Sequence, residues 1–188
     1  MLGDDCLRKP KDGKYPALQV THSVKQREYI EWKYRLWEPI VPGEIRRNIA
    51  IKTDTKVYHV DSFRTAAHPG FTEFYNMFYR NGRKVVNNEI LYKLTPFSLA
   101  VWYMDDGYYR RNRGRAQLST NSFTYEENIM IKKYFEATWD ISPNIAKSDS
   151  GTHYILFNTR DTIRFFNVIK NHILPLFGYK IDLKRKLM

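Results

Sequence analysis

The chain has 188 residues, 43% of them hydrophobic, enough for one substantial core or two small lobes sharing one, which excludes a disordered protein. Its 31 Lys and Arg against 20 Asp and Glu leave a net charge of +11, a field that favours polyanions, nucleic acid first among them, over acidic or neutral partners. The single cysteine, Cys6, excludes an intramolecular disulfide and a CxxC zinc site and points to a reducing intracellular compartment, while no stretch reaches the ~20 apolar residues of a membrane span or looks like a secretory signal.

In chain order, Arg8 to Lys14 reads as a basic turn and Ala17 to Ser23 alternates as a strand. Ser23 and Gln26 have capping-box spacing and predict a helix running to about Trp37. Strand-like runs follow at Arg46 to Ile51 and Val57 to Asp61, then an aromatic-rich helix over Phe71 to Tyr79. A connection, roughly Val85 to Leu94, leads into Thr95-Pro96, an N-cap followed by proline at the first helical position. The apolar helix that begins there ends in Asp105-Asp106-Gly107.

The same series of elements then recurs. A hairpin turn at Asn112-Arg113-Gly114 precedes a strand over Gln117 to Asn121, and Thr124 with Glu127 opens a helix to about Thr138. Strands over Asn144 to Ser148 and Thr152 to Phe157 flank the tight turn Asp149-Ser150-Gly151, and a helix over Thr162 to His172 closes the copy. Under one constant offset Phe74, Asn76 and Phe78 match Phe165, Asn167 and Ile169. Two pseudo-repeated halves of one compact body are expected, residues 1–92 and 93–188, with four strands in each. The prolines Pro16, Pro39, Pro42 and Pro69 all fall outside the proposed helices, as the missing N–H requires.

The run Leu99-Ala100-Val101-Trp102-Tyr103-Met104-Asp105-Asp106-Gly107 carries the sharpest chemistry. Carbonyls at a helix C-terminus already hold partial negative charge, so two carboxylates there are costly and a bound divalent cation would compensate. Two solvated aspartates before a turn glycine satisfy the same residues. The run resembles the signature of the LAGLIDADG homing endonuclease family, and Leu94-Thr95-Pro96 through Gly107 is especially similar to single-chain intron-encoded members of the mitochondrial omega type. Met1-Leu2-Gly3-Asp4 is similar to the tail of that family's first motif. Further similarity runs through Gln117-Leu118-Ser119-Thr120-Asn121-Ser122-Phe123-Thr124-Tyr125-Glu126-Glu127 and Phe177-Gly178-Tyr179-Lys180-Ile181.

The resemblance implies an α+β fold of two pseudo-symmetric αββαββα-type halves with saddle-shaped antiparallel sheets. It implies site-specific hydrolysis of double-stranded DNA with Mg²⁺ or Mn²⁺, and Asp4 and Asp106 as the metal-holding catalytic carboxylates, with Asp105 beside them in a structural role. Metal chemistry of this kind lowers the pKa of a bound water and stabilises the leaving oxygen. Lys180 and either Lys84 or Arg83 correspond to the family's basic catalytic residues; Lys84 fits the internal repeat and Arg83 the family spacing. For DNA contact the resemblance selects the hairpin cations Arg8, Lys9, Lys11, Lys14, Arg110, Arg111, Arg113 and Arg115. It adds Gln19, Thr21, Arg46, Arg47, Gln117, Ser119 and Lys147, since a β-ribbon fits the major groove and such side chains can reach base edges.

Only Met1 and Leu2 precede Gly3, so the expectation is either a start that lies upstream or a truncated first motif helix, in a product that is then inactive or in need of a partner. Asp5 stands where the family often has glycine or a small residue. Truncation is expected to expose Leu99, Trp102 and Tyr103, a hazard of aggregation or dimerisation; with a complete start a monomer is expected. Two other functions compete with cleavage: a cleavage-deficient DNA- or RNA-binding relative such as a maturase acting on intron RNA, and a basic ribosome-associated protein. A bacterial or archaeal cytoplasm or an organelle matrix is the expected compartment.

Overall fold

The structure is a computed structural model that describes residues 2–10 and 13–182. It comprises two compact units, Met1–Met77 and Phe78–Met188. No helix among the described residues is long and apolar enough to cross a membrane.

The first unit carries strands β1 (Cys6–Arg8), β2 (Ala17–Ser23), β3 (Arg46–Lys52) and β4 (Val57–Arg64) in one antiparallel sheet of order β1-β2-β4-β3. Helix α1 (Arg27–Trp37) packs on β2 and β4, and α2 (Gly70–Phe78) closes the unit. Alternation along β2 turns Leu18, Val20 and His22 inward, and Val20 pairs with Phe63 of β4. These residues, with Leu7, Tyr29 and Ile30, form the core; burial of each large apolar side chain contributes about 1.5–3 kcal/mol.

Ser23 does not form the expected capping box with Gln26. Its hydroxyl accepts from Lys25 N at 3.3 Å over a 3-10 turn, Val24–Gln26, and the α-helix starts only at Arg27. Gln26 thus lies before the first α-helical turn, not at its third position.

The second unit opens with a two-residue hairpin, β5 (Tyr79–Arg80) and β6 (Arg83–Lys84), turning through Asn81 and Gly82, both at positive φ. Helices α3 (Asn88–Tyr92) and α4 (Pro96–Asp106) follow, then β7 (Gly107–Arg110), β8 (Arg115–Leu118), α5 (Tyr125–Trp139), β9 (Asn144–Lys147), β10 (His153–Leu156) and α6 (Thr159–Ile169). The sheet order β7-β8-β10-β9 repeats that of the first unit. Thr95 caps α4 through Ser98 N with Pro96 in its first turn, and Thr124 and Glu127 form the full capping box of α5, both as the spacing predicted.

An aromatic core joins the helices to the sheet. Phe157 stacks on Phe165 at 4.6 Å, and Tyr103 meets Phe165 edge-on at 5.4 Å. This packing corrects the expected exposure: Leu99, Trp102 and Tyr103 are 1%, 2% and 0% exposed, because α6 and the 3-10 turn Lys170–His172 pack on α4. The constant-offset match is likewise incomplete, since Phe165 is buried whereas Phe74 is exposed.

Candidate nucleic-acid interface and carboxylate positions

Strand register makes Asp4 and Asp106 equivalent. Cys6, two residues beyond Asp4, pairs with Gln19, and Tyr108, two beyond Asp106, pairs with Gln117. Each carboxylate therefore stands two residues ahead of the partner of the third residue in its sheet's second strand, although β7 begins directly after Asp106 and β1 only at Cys6. The Asp106 carboxylate is half-buried and accepts from the Trp102 indole at 3.2 Å, one helical turn back; Asp105 beside it is half-buried too. Asp4 is exposed, with an oxygen 3.8 Å from Nδ1 of the buried His22.

The next position in each half is held by different physics. A Cβ at Gly107 would overlap the ring and carbonyl of Tyr103, so only glycine fits. Asp5, its counterpart, is buried and accepts from Lys33 Nζ with both oxygens at 2.9 Å. Burial, the largest single influence, would raise the Asp5 pKa, but the charge and hydrogen bond of Lys33 together with weaker neighbouring positive charges outweigh it and hold the carboxyl below its ordinary value. Lys33 lies 4.6 Å over the Tyr29 ring and is 2% exposed.

The three candidate basic residues occupy distinct environments. Lys180 Nζ donates to the Met104 carbonyl at 2.7 Å, capping the end of α4 two residues before Asp106, while Tyr103 Oη donates to the Lys180 carbonyl at 2.9 Å. Arg83 binds both oxygens of Glu127 at 2.8 and 3.1 Å, and that carboxylate also accepts from Val86 N. Burial raises the Glu127 pKa, but Arg83 and the Thr124 and Val86 amides bring it below the usual range. Arg83 is thereby committed to fastening the hairpin to α5. Lys84 sits opposite Tyr79 in that hairpin.

Each sheet has one face toward its helices and one away from them. Directly paired residues share a face, so Gln19 with Arg64, and Thr21 with Ser62 and Arg46, lie on the outer face of the first sheet. Arg8, paired with Ala17, shares it. Arg47 does not: it follows the register shift after Arg46, and its guanidinium binds Asp61 at 3.0 Å and Glu31 of α1 at 2.8 Å. In the second sheet the outer face carries Arg110 with Arg115, Gln117 and Tyr154. Lys147 pairs with His153, whose ring packs 4.8 Å from Tyr125 of α5, and so belongs to the helix side.

Arg111, Arg113 and Arg115 are exposed around the left-handed Gly114, and Arg111 donates to the Tyr179 carbonyl at 3.2 Å. Ser119 is exposed and tied by its N–H to the Asp106 carbonyl at 2.9 Å. Lys9 and Lys14 are exposed, and Lys11 lies outside the described residues.

The family model for the LAGLIDADG DNA endonuclease family matches residues 1–165. The chain belongs to that family. Cytochrome b mRNA maturase bI2 of Debaryomyces hansenii is 28% identical over 187 residues, covering 96% of this chain and 70% of the relative. Probable intron-encoded DNA endonuclease 3 of Mycosarcoma maydis is 28% identical over 127 residues, 65% of this chain and 93% of that protein. Several other curated relatives are matched over less than half of their own length. Among solved structures, the homing endonuclease I-WcaI bound to its DNA recognition sequence superposes with a TM-score of 0.89 at 24% identity, over 98% of this chain and 83% of that one, a likeness of fold.

Within this LAGLIDADG chain, sequence reasoning missed Lys33, His22, Arg64 and Tyr154. The first two were findable only through tertiary contact with Asp4 and Asp5. Arg64 had a legible signal, since strand alternation places it on the same face as Ser62, but the strand was ended too early, at Asp61.

Proposed function

We propose that this chain is a site-specific endonuclease that binds double-stranded DNA with the outer faces of its two sheets and hydrolyses it with a divalent cation. The observation that carries the reading is the matched register of Asp4 and Asp106, a carboxylate at the same position in each repeat, 1–92 and 93–188. Their donor set is carboxylate oxygen alone, which suits a hard cation such as Mg²⁺ or Mn²⁺. When bound, such an ion lowers the pKa of a water and stabilises charge on the phosphate and the leaving oxygen.

The chain's own part is positioning. The Trp102 indole orients Asp106, the Gly107 packing against Tyr103 fixes the backbone that follows, and Lys180 places a positive charge at the foot of α4 where phosphate charge needs an opposite. Lys84 is the second basic residue of this kind, Arg83 being neutralised by Glu127. The cations at the turns, Arg8, Lys9, Lys14, Arg111, Arg113 and Arg115, hold the phosphate backbone, and Gln19, Thr21, Arg46, Arg64 and Gln117 face the groove.

The test is cleavage of a supercoiled plasmid carrying a site selected from randomised duplex DNA, with Mg²⁺ and with EDTA. Asp4→Asn and Asp106→Asn each cut the rate by orders of magnitude while binding survives. Undiminished double-strand cutting by Asp106→Asn refutes the assignment. A second reading, a cleavage-deficient binder of intron RNA, is supported by the maturase relative; tight intron RNA binding with no cutting in Mg²⁺ would favour it.

A further inference from the structure

Arg110 adjoins the cations of a hairpin turn, yet its guanidinium is bound to residues of the neighbouring strands. It lies along the outer face of the second sheet. Nε donates to Gln117 Oε1 at 3.1 Å, Nη2 donates to the Tyr154 hydroxyl at 3.3 Å, and Cζ stands 5.9 Å from the centre of the Tyr154 ring. All three residues are half-buried on adjacent strands β7, β8 and β10. A surface arginine normally retains rotamer freedom that binding must remove; here two hydrogen bonds and a ring have already removed much of it.

The hydrogen bonds also select which edge remains. Nε–H and the neighbouring Nη2–H form the side-on edge of a guanidinium; Gln117 takes Nε–H on that edge and Tyr154 takes one of the two Nη2 hydrogens. The end-on fork, Nη1–H with the second Nη2–H, makes no bond among the described residues. Two parallel donors in a fixed plane match the paired O6 and N7 acceptors that guanine presents in the major groove. The same contact orients Gln117: its side-chain oxygen accepts from Arg110 with one lone pair and keeps the other for a further donor.

We propose that Arg110, held by Gln117 and Tyr154, reads guanine at one fixed position of the target duplex, and is not a contact to phosphate. This rests on the DNA-binding reading above and deepens it. A phosphate contact needs only positive charge, whereas a base contact of this kind needs the fork, so Arg110→Lys separates the two.

The full chain and its variants are each used to select binders from a pool of randomised duplex DNA, and the bound pools are sequenced. The unaltered protein enriches a motif in which one position is almost always guanine. Arg110→Lys lowers the preference there by about tenfold to a hundredfold and leaves the other positions as they were. Arg113→Ala, by contrast, lowers affinity evenly across sequences. An Arg110→Lys profile identical to that of the unaltered protein, or an even loss at all positions, overturns the assignment while leaving DNA binding intact. Failure of the unaltered protein to enrich any motif refutes the DNA-binding reading itself. Should Arg110→Lys not fold, Tyr154→Phe removes one hydroxyl without changing shape: selectivity must relax at that same guanine, and an unaltered profile overturns the proposal.

Discussion

Asp61→Asn tests whether the fold of the first unit depends on one buried charge. Asp61 is 0% exposed and accepts from Arg27 Nε at 3.0 Å, Arg47 Nη1 at 3.0 Å and Asn48 N at 2.8 Å. It thereby joins β4 to α1 and to the register shift of β3, where Asn48 adopts φ 54°. Burial raises its pKa, but the Asn48 amide and the two guanidinium groups more than reverse this and hold it at about 2, against 3.8 for an ordinary aspartate. That difference corresponds to roughly 2.5 kcal/mol at neutral pH. The two arginines are 51% and 40% exposed, so solvent screening reduces the figure to about 1–2 kcal/mol.

The pKa is depressed, so the stabilisation is fully present above the unfolded value, 3.8, and is lost as pH falls through about 2. Urea unfolding of both proteins at pH 7, pH 5 and pH 3 reads the effect. Asp61→Asn is less stable by about 1–2 kcal/mol at pH 7 and pH 5, and by about half as much at pH 3. An equal difference at all three values would show that shape, not charge, is responsible, and no difference at pH 7 would refute the argument entirely.

Gly107→Ala places a methyl group in the Tyr103 ring and carbonyl, so thermal unfolding should show a loss of about 1–3 kcal/mol or more, accompanied by lower cleavage. Arg83→Met and Lys84→Met should separate by readout. The first leaves the Glu127 carboxylate without its cation and costs about 1–3 kcal/mol in urea unfolding, whereas the second slows plasmid cleavage; full cleavage by the Lys84→Met protein would refute its role.

The local signals that were legible share a physical origin in neighbouring residues. Thr124 and Glu127 cap α5, and Thr95-Pro96 opens α4, because both ends of each interaction lie within one helical turn. Strand β2 was legible to the residue because Leu18, Val20 and His22 alternate with Gln19 and Thr21. The aromatic match of Phe74 to Phe165 misled because composition carries no direction: a ring counts equally in sequence whether its helix turns it inward or outward. Arg47, Arg83 and Lys147 looked like DNA-facing or phosphate-facing cations for a similar reason. Whether a cation is spent on Asp61 or Glu127, or stands on the helix side of a sheet, depends on contacts made across long stretches of chain.

Equivalent carboxylates in the two halves are thus held by unlike neighbours. After Asp106 comes a glycine that packs against Tyr103; after Asp4 comes Asp5, whose charge is locked to Lys33. The outer sheet faces diverge in the same manner. Gln19 pairs with Arg64, while its counterpart Gln117 pairs with Leu156 and gives its oxygen to Arg110. Two identical chains would be bound to present the same side chain at each such position and so to favour a two-fold symmetric target. A duplicated single chain has no such constraint. On the proposed reading, in which the sheets contact duplex DNA, the divergence at Arg64 and Leu156 predicts that the two halves of a selected sequence differ where Arg64 makes contact.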